Sequence, residues 1–189
     1  MVSRRSLVWS IPAVTGLALW AAACGDPFGL PPAGVSNAVD TVSLYALDGT
    51  PVSTASAFSI GGNQLVRTDL TSQFDFAFNI DTLGHPVFLP TGALGLPQGA
   101  ALQVVATPFD SITFAPGGGW VTDTAVAADS GNVLVARSQL TTCSFGAAVF
   151  LYAKLQVLRV DTVARRVDIQ ILANQNCGYR GLEPGLPRR

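Results

Sequence analysis

The sequence predicts an all-β domain built as an antiparallel β-sandwich. Three observations carry this. Apolar and polar residues alternate over short runs, as in strands with one face on a core. Clusters of Gly, Asn, Asp and Ser separate the runs at short intervals. No segment after residue 23 shows a long amphipathic helical stripe. Two antiparallel sheets packed face to face are the commonest solution for such a pattern. A closed β-barrel around a ligand cavity is the alternative.

The 189 residues are 49% apolar and 12% charged, with 19 Gly and 12 Pro. A chain this apolar and this weakly charged is not disordered as a whole. A net charge of −1 supplies no basic footprint, so no nucleic-acid partner is expected.

The first element is a signal. Arg4 and Arg5 precede an apolar run from Leu7 to Ala23 that closes on Ala21-Ala22-Ala23, and Cys24 follows at once. Positive, then apolar, then small is the order of an export signal, here expected as a helix. The apolar run is short for a membrane span, contains Pro12 and Gly16, and is followed by Gly25 and Asp26 rather than a basic cluster.

Ala21-Ala22-Ala23-Cys24 resembles the lipobox of bacterial lipoproteins. The resemblance is confined to the N-terminal segment. It implies cleavage before Cys24 and lipidation of that thiol, hence a membrane partner through the lipid. Stable anchoring takes more than one acyl chain, and lipoproteins of this kind carry a diacylglycerol and an amide-linked chain. A soluble secreted product cut after Ala23 is the alternative. Gly25, standing where an Asp would favour inner-membrane retention, points to the outer membrane, although Asp26 comes one place later. Ser3-Arg4-Arg5-Ser6-Leu7-Val8 is also similar to a twin-arginine export motif, so the export route stays open.

Four parts are therefore expected: a signal peptide over 1–23, a lipidated Cys and Pro/Gly-rich tether over 24–37, a β domain over 38–180, and a flexible tail over 181–189. Setting aside Arg4 and Arg5 leaves 9 basic residues against 12 acidic, a net −3 for the mature chain.

Within the β domain the first strand fits Asp40–Leu47 and the next Gln64–Thr68. Phe74, Phe76, Phe78 and Ile80 alternate with Asp75, Ala77, Asn79 and Asp81, which puts the aromatic residues on the core and the polar ones in solvent. Further strands fit Pro86–Leu89, Leu102–Ala106, Ile112–Phe114, Thr124–Ala128 and Val133–Arg137. A long strand over Val149–Val160 turns through Asp161–Arg165 into a last strand over Arg166–Asn174. Asp48-Gly49, Gly61-Gly62-Asn63, Leu83-Gly84, Gly117-Gly118-Gly119 and Ser130-Gly131-Asn132 supply turn chemistry.

Cys143 and Cys177 flank the open end of that terminal hairpin. In an exported chain such a pair is expected to form a disulfide, with a loop or bulge absorbing the imperfect register.

Catalytic chemistry is sparse. His85, the one histidine, lies in the turn Leu83-Gly84-His85-Pro86, and no G-x-S-x-G nucleophile elbow exists in the β domain. Asp75, Asn79 and Asp81 share oxygen chemistry suited to a hard cation such as Ca²⁺, without EF-hand spacing. Trp120 is the tryptophan of the β domain. With Tyr45, Tyr152 and Tyr179 it forms a possible ring platform for a sugar, against a plain role in the core. No cofactor is expected.

The reading is a lipid-anchored, non-enzymatic envelope protein at the outer membrane or periplasmic face, contacting another envelope protein or a polysaccharide. The alternatives are a small envelope hydrolase using Asp and His85, and a barrel carrying an apolar ligand.

Overall fold

Alternation drives the described residues into twelve strands. This computed structural model describes residues 31–97, 99–144 and 146–188. The signal segment and Cys24 lie outside the described residues. Pro32–Arg189 forms a unit of its own, separate from Met1–Pro31. In chain order the strands are β1 (Val39–Tyr45), β2 (Ala57–Ser59), β3 (Gln64–Val66), β4 (Phe76–Ile80), β5 (Pro86–Pro90), β6 (Ala101–Val105), β7 (Val126–Ala127), β8 (Val133–Arg137), β9 (Thr141–Thr142), β10 (Ala148–Val149), β11 (Tyr152–Asp161) and β12 (Arg166–Asn174).

The strands form two five-stranded sheets, ordered β1-β12-β11-β8-β6 and β3-β2-β4-β5-β7, plus the small ribbon β9-β10. All pairings are antiparallel. The sheets stay open, so the architecture is a sandwich and the closed barrel is set aside.

The two sheets meet through one apolar cluster. Leu44, Leu134, Leu155, Ile169 and Ile171 of the first face Phe58, Phe76, Phe78 and Phe88 of the second. Phe76 stacks on Phe58 at 5.8 Å and meets Phe88 edge-on at 5.5 Å. Burying each such ring contributes about 2–3 kcal/mol. Side chains fill this interior, which removes the ligand-carrying barrel of the sequence reading.

Each sheet also carries a smaller apolar layer on its outer face. On the first sheet Val133, Val135 and Leu172 are covered by Phe109, Ile112, Ala115 and Leu182. On the second, Ala57, Val66, Ala77 and Phe74 pack together. Phe74 thus leaves the face shared by Phe76 and Phe78, because regular pairing of β4 begins only at Phe76.

Several expected elements are redrawn. Ile112–Phe114 is not a strand. A 3-10 turn over Phe109–Ser111 precedes it, and its backbone pairs briefly with the C-terminal segment through Leu182 N–H to Thr113 O and Ala115 N–H to Arg180 O. The buried Lys154 ammonium takes the carbonyls of Phe109 (2.9 Å) and Ile112 (3.1 Å) and lies over the Phe109 ring. Desolvation lowers its pKa. The expected strand Val149–Val160 divides into β10 and β11, and a bulge between Val157 and Arg159 turns Leu158 outward. β2 was not expected, because its three residues sit among Ser and Thr without a readable period.

The expected tail over 181–189 is instead packed across its described part, 181–188. Leu182 is fully buried, Gly185 bridges Asn37, and Arg188 pairs with Glu183. The expected tether is likewise fixed over its last four residues, 34–37. Asn176 Oδ1 accepts the N–H groups of Gly34 and Val35, and Asn37 Nδ2 donates to the carbonyls of Gly181 and Glu183. Pro and Gly composition marked a segment without regular structure. It did not reveal that buried asparagines would supply the missing backbone partners.

Candidate functional site

Cross-strand register assembles the most distinctive surface. Arg137 of β8 lies opposite Ala101 of β6 and Tyr152 of β11, and Tyr152 lies opposite Asn174 of β12. Directly paired residues point to the same side, so this row crosses the outer face of the first sheet at one end. Trp120 arrives from the Gly-rich loop. Its ring sits 6.0 Å from that of Tyr152.

The Arg137 guanidinium lies 4.1 Å from the Phe150 ring centre and 5.4 Å from that of Trp120. The Arg180 guanidinium lies 5.8 Å from the Tyr152 ring centre. The result is a ladder: Phe150, Arg137, Trp120, Tyr152, Arg180. Each ring–cation contact is worth about 0.5–1 kcal/mol at such partly exposed positions.

Arg137 also donates Nε–H to Gly99 O, and Arg180 donates to Ala115 O. Neither takes part in an ion pair among the described residues. Two cations held by rings and carbonyls keep N–H groups suited to an anion.

The approach of Trp120 depends on Gly119. Its φ is +83°, and a Cβ there would stand 2.8 Å from Gln103 Nε2. Gly119→Ala is expected to cost about 1–2 kcal/mol through the left-handed backbone alone. It should also shift Trp120. Emission from this ring, measured on residues 32–189, should move to longer wavelength as the Arg137 and Tyr152 contacts loosen. An unchanged spectrum and melting temperature would contradict this role.

The ring platform expected from sequence is only partly assembled. Tyr152 joins Trp120. Tyr179 is buried, and Tyr45 lies opposite Arg166 in the β1-β12 pairing, away from the ladder row. Arg137, Phe150 and Arg180 were missed as site residues. Outward alternation along β8 and β11 hinted at Arg137 and Tyr152. Nothing local linked Phe150 or Arg180 to Trp120.

The three oxygen-bearing candidates do not converge. Asp75 and Asp81 stand at opposite ends of β4, about 20 Å apart for six extended residues. Asn79 exchanges hydrogen bonds with Asp48. Asp81 accepts the N–H groups of Leu83 and His85, which hold its pKa down, the His85 bond most. Among the described residues no group of three metal-ligating side chains occurs. His85 is exposed on the turn, with Nδ1 3.4 Å from Asp81 Oδ2 and Asp75 at the far end of the strand.

Asp75 corrects the sequence reading most sharply, since it is 6% exposed rather than solvated. Its carboxylate accepts Ile60 N–H at 2.7 Å from one sheet and Gln139 N–H at 2.7 Å from the segment after β8 in the other. Gln139 Nε2 returns a bond to Phe74 O. Burial pushes the carboxyl up to about 6 against the two backbone bonds, which pull it down. The nearby Ser138 hydroxyl is engaged with Gln139 O and Leu151 N–H. Asp75 therefore ties the sheets together at one end of the sandwich.

Cys143 and Cys177 form a disulfide with Cα atoms 6.1 Å apart. It fastens the β9-β10 ribbon to the chain leaving β12. Such a bond suits an oxidising compartment. No helix among the described residues is long and apolar enough to cross a membrane.

A scan against protein-family models gives no match, and a search of curated proteins gives none either.

Proposed function

We propose that this protein is a lipid-anchored component of a bacterial cell envelope, whose β-sandwich binds or scaffolds rather than catalyses. The observation that carries the reading is the N-terminal order Arg4-Arg5, apolar run, Ala21-Ala22-Ala23, Cys24. The Cys143–Cys177 disulfide supports it, because exported chains are where such bonds persist. The outer membrane or periplasmic face is the proposed location, with another envelope component, protein or polysaccharide, as the proposed partner. A binding role is supported by the ladder around Trp120 and by the separation of His85 from Asp75.

Metabolic labelling with an alkyne fatty acid tests the anchor. Label is expected in the wild-type protein and absent from Cys24→Ser. Equal labelling of both, or of neither, would refute lipidation at this thiol.

A further inference from the structure

We propose that the ladder end of the first sheet is a membrane-docking surface, seated on anionic phospholipid headgroups beside the anchor. This rests on the reading of Cys24 as the lipidated residue, and it adds an orientation for the domain and a second, protein-based membrane contact.

The geometry starts from the point where the chain enters the fold. β1 begins at Val39, opposite Leu172, two residues from Asn174. Asn174 shares the cross-strand row of Tyr152 and Arg137, and so lies on the same face at the same end. Its Nδ2 donates to Gly181 O at 2.8 Å, the same carbonyl that accepts from Asn37 Nδ2 at 3.2 Å. Arg180, the last rung of the ladder, precedes Gly181. The entering chain, the C-terminal segment and the ladder are therefore neighbours on one edge of the domain.

The length of the leash sets the distance. Ten residue steps lead from Cys24 to Gly34, the first residue held by Asn176, so full extension gives at most about 36 Å. A lipid at Cys24 would limit how far this edge can stand from a headgroup layer to that length. The high local concentration makes even a weak contact effective.

The chemistry matches that layer. Trp, Tyr and Arg are the residue types that settle at headgroup depth, with ring edges and N–H groups in the polar zone. Arg137 and Arg180 have no carboxylate partner among the described ion pairs, and the nearby Glu183 is taken by Arg188. Val35 and Leu186, exposed beside the Asn37–Gly185 bridge, add apolar contact on the same edge. The mature chain as a whole is net negative, so attraction to an anionic surface must come from such a local patch.

Residues 32–189 contain all three apolar clusters and can be tested without leader or lipid. The assay is flotation with phosphatidylglycerol-containing vesicles against vesicles of phosphatidylcholine alone. Binding to the anionic vesicles is expected, declining as salt rises. Arg180→Gln should weaken it roughly five-fold, the usual loss for one basic side chain at such a surface. Arg159→Gln, at the Asp161–Arg165 end of the hairpin, should leave it unchanged, and both variants should stay folded at the assay temperature, Arg180→Gln melting a few degrees lower through its lost contacts with Ala115 and Tyr152. Equal binding to the two vesicle types, or equal effects of the two substitutions, would overturn the proposal. So would binding to a soluble uronic-acid polymer with none to vesicles. Labelling of Cys24 together with absent vesicle binding would leave the anchor and remove this surface. Vesicle binding without labelling would leave a membrane-binding patch and remove the anchor.

Discussion

Replacing Cys143 and Cys177 together by serine is expected to destabilise the domain by about 4 kcal/mol, the chain-entropy contribution of a cross-link spanning 34 residues. The span encloses β11 and β12, the central hairpin of the first sheet, so opening it frees that hairpin in the unfolded ensemble. In the folded state Cys143 is 5% exposed and Cys177, half-buried, packs against the main apolar cluster, so hydroxyls would also replace one buried and one partly buried sulfur. For a domain of this size the melting temperature should fall on the order of 10 °C. Thermal and urea melts of the double variant measure this. A midpoint within a degree or two of wild type would contradict an entropic contribution of this size.

The second large effect is a dependence on pH that runs opposite to the usual carboxylate behaviour. Below the ordinary value of 3.8, Asp75 holds its proton in both the folded and unfolded chain. Between 3.8 and about 6 the folded chain keeps the proton and the unfolded chain loses it. The unfolded state then binds fewer protons, so stability falls as pH rises through this window, by at most about 3 kcal/mol. Above about 6 both states are ionised and the loss is complete. Carboxylates nearer the surface such as Asp69 and Asp161, whose pKa values are lowered, act in the other direction.

The test is therefore the difference between wild type and Asp75→Asn across pH 4 to 7. The variant should lack the fall assigned to Asp75. It should also be weaker in absolute terms at low pH, because its amide can accept from Ile60 or from Gln139 but would turn an N–H against the other. Parallel stability profiles for the two proteins would contradict the account of this buried carboxyl.

What could be read from the sequence follows from the range of the interactions involved. Phe76, Phe78 and Ile80, or Val167, Ile169 and Ile171, alternate within a single strand, so their shared core face is a local property and was legible. The turn Asp161–Arg165 was legible for the same reason: Asp161 Oδ1 accepts the N–H groups of Val163 and Ala164 just ahead of it. The disulfide followed from hairpin geometry once the two flanking strands were placed.

Asp75 was misplaced because alternation alone assigned it to solvent. Its partners, Ile60 and Gln139, lie 15 and 64 residues away. The C-terminal segment looked like a tail for a similar reason. Its Pro and Gly content is that of a frayed end, but Asn37, 146 residues from Glu183, and Asn174 at the end of β12 hold its carbonyls. The ladder joins residues 120, 137, 150, 152 and 180, of which only Arg137 and Tyr152 are paired by a strand register. No single-sequence period contains that arrangement.

The proposed lipidation of Cys24 carries the most weight, since both the proposed cellular address and the proposed docking surface are built outward from it. The most direct measurement is the mass of the N-terminal peptide from protein extracted out of native membranes. A peptide starting at Cys24 and carrying a thioether-linked diacylglycerol is the predicted result. A peptide starting at Cys24 with an unmodified thiol, or one still bearing Met1–Ala23, would contradict it.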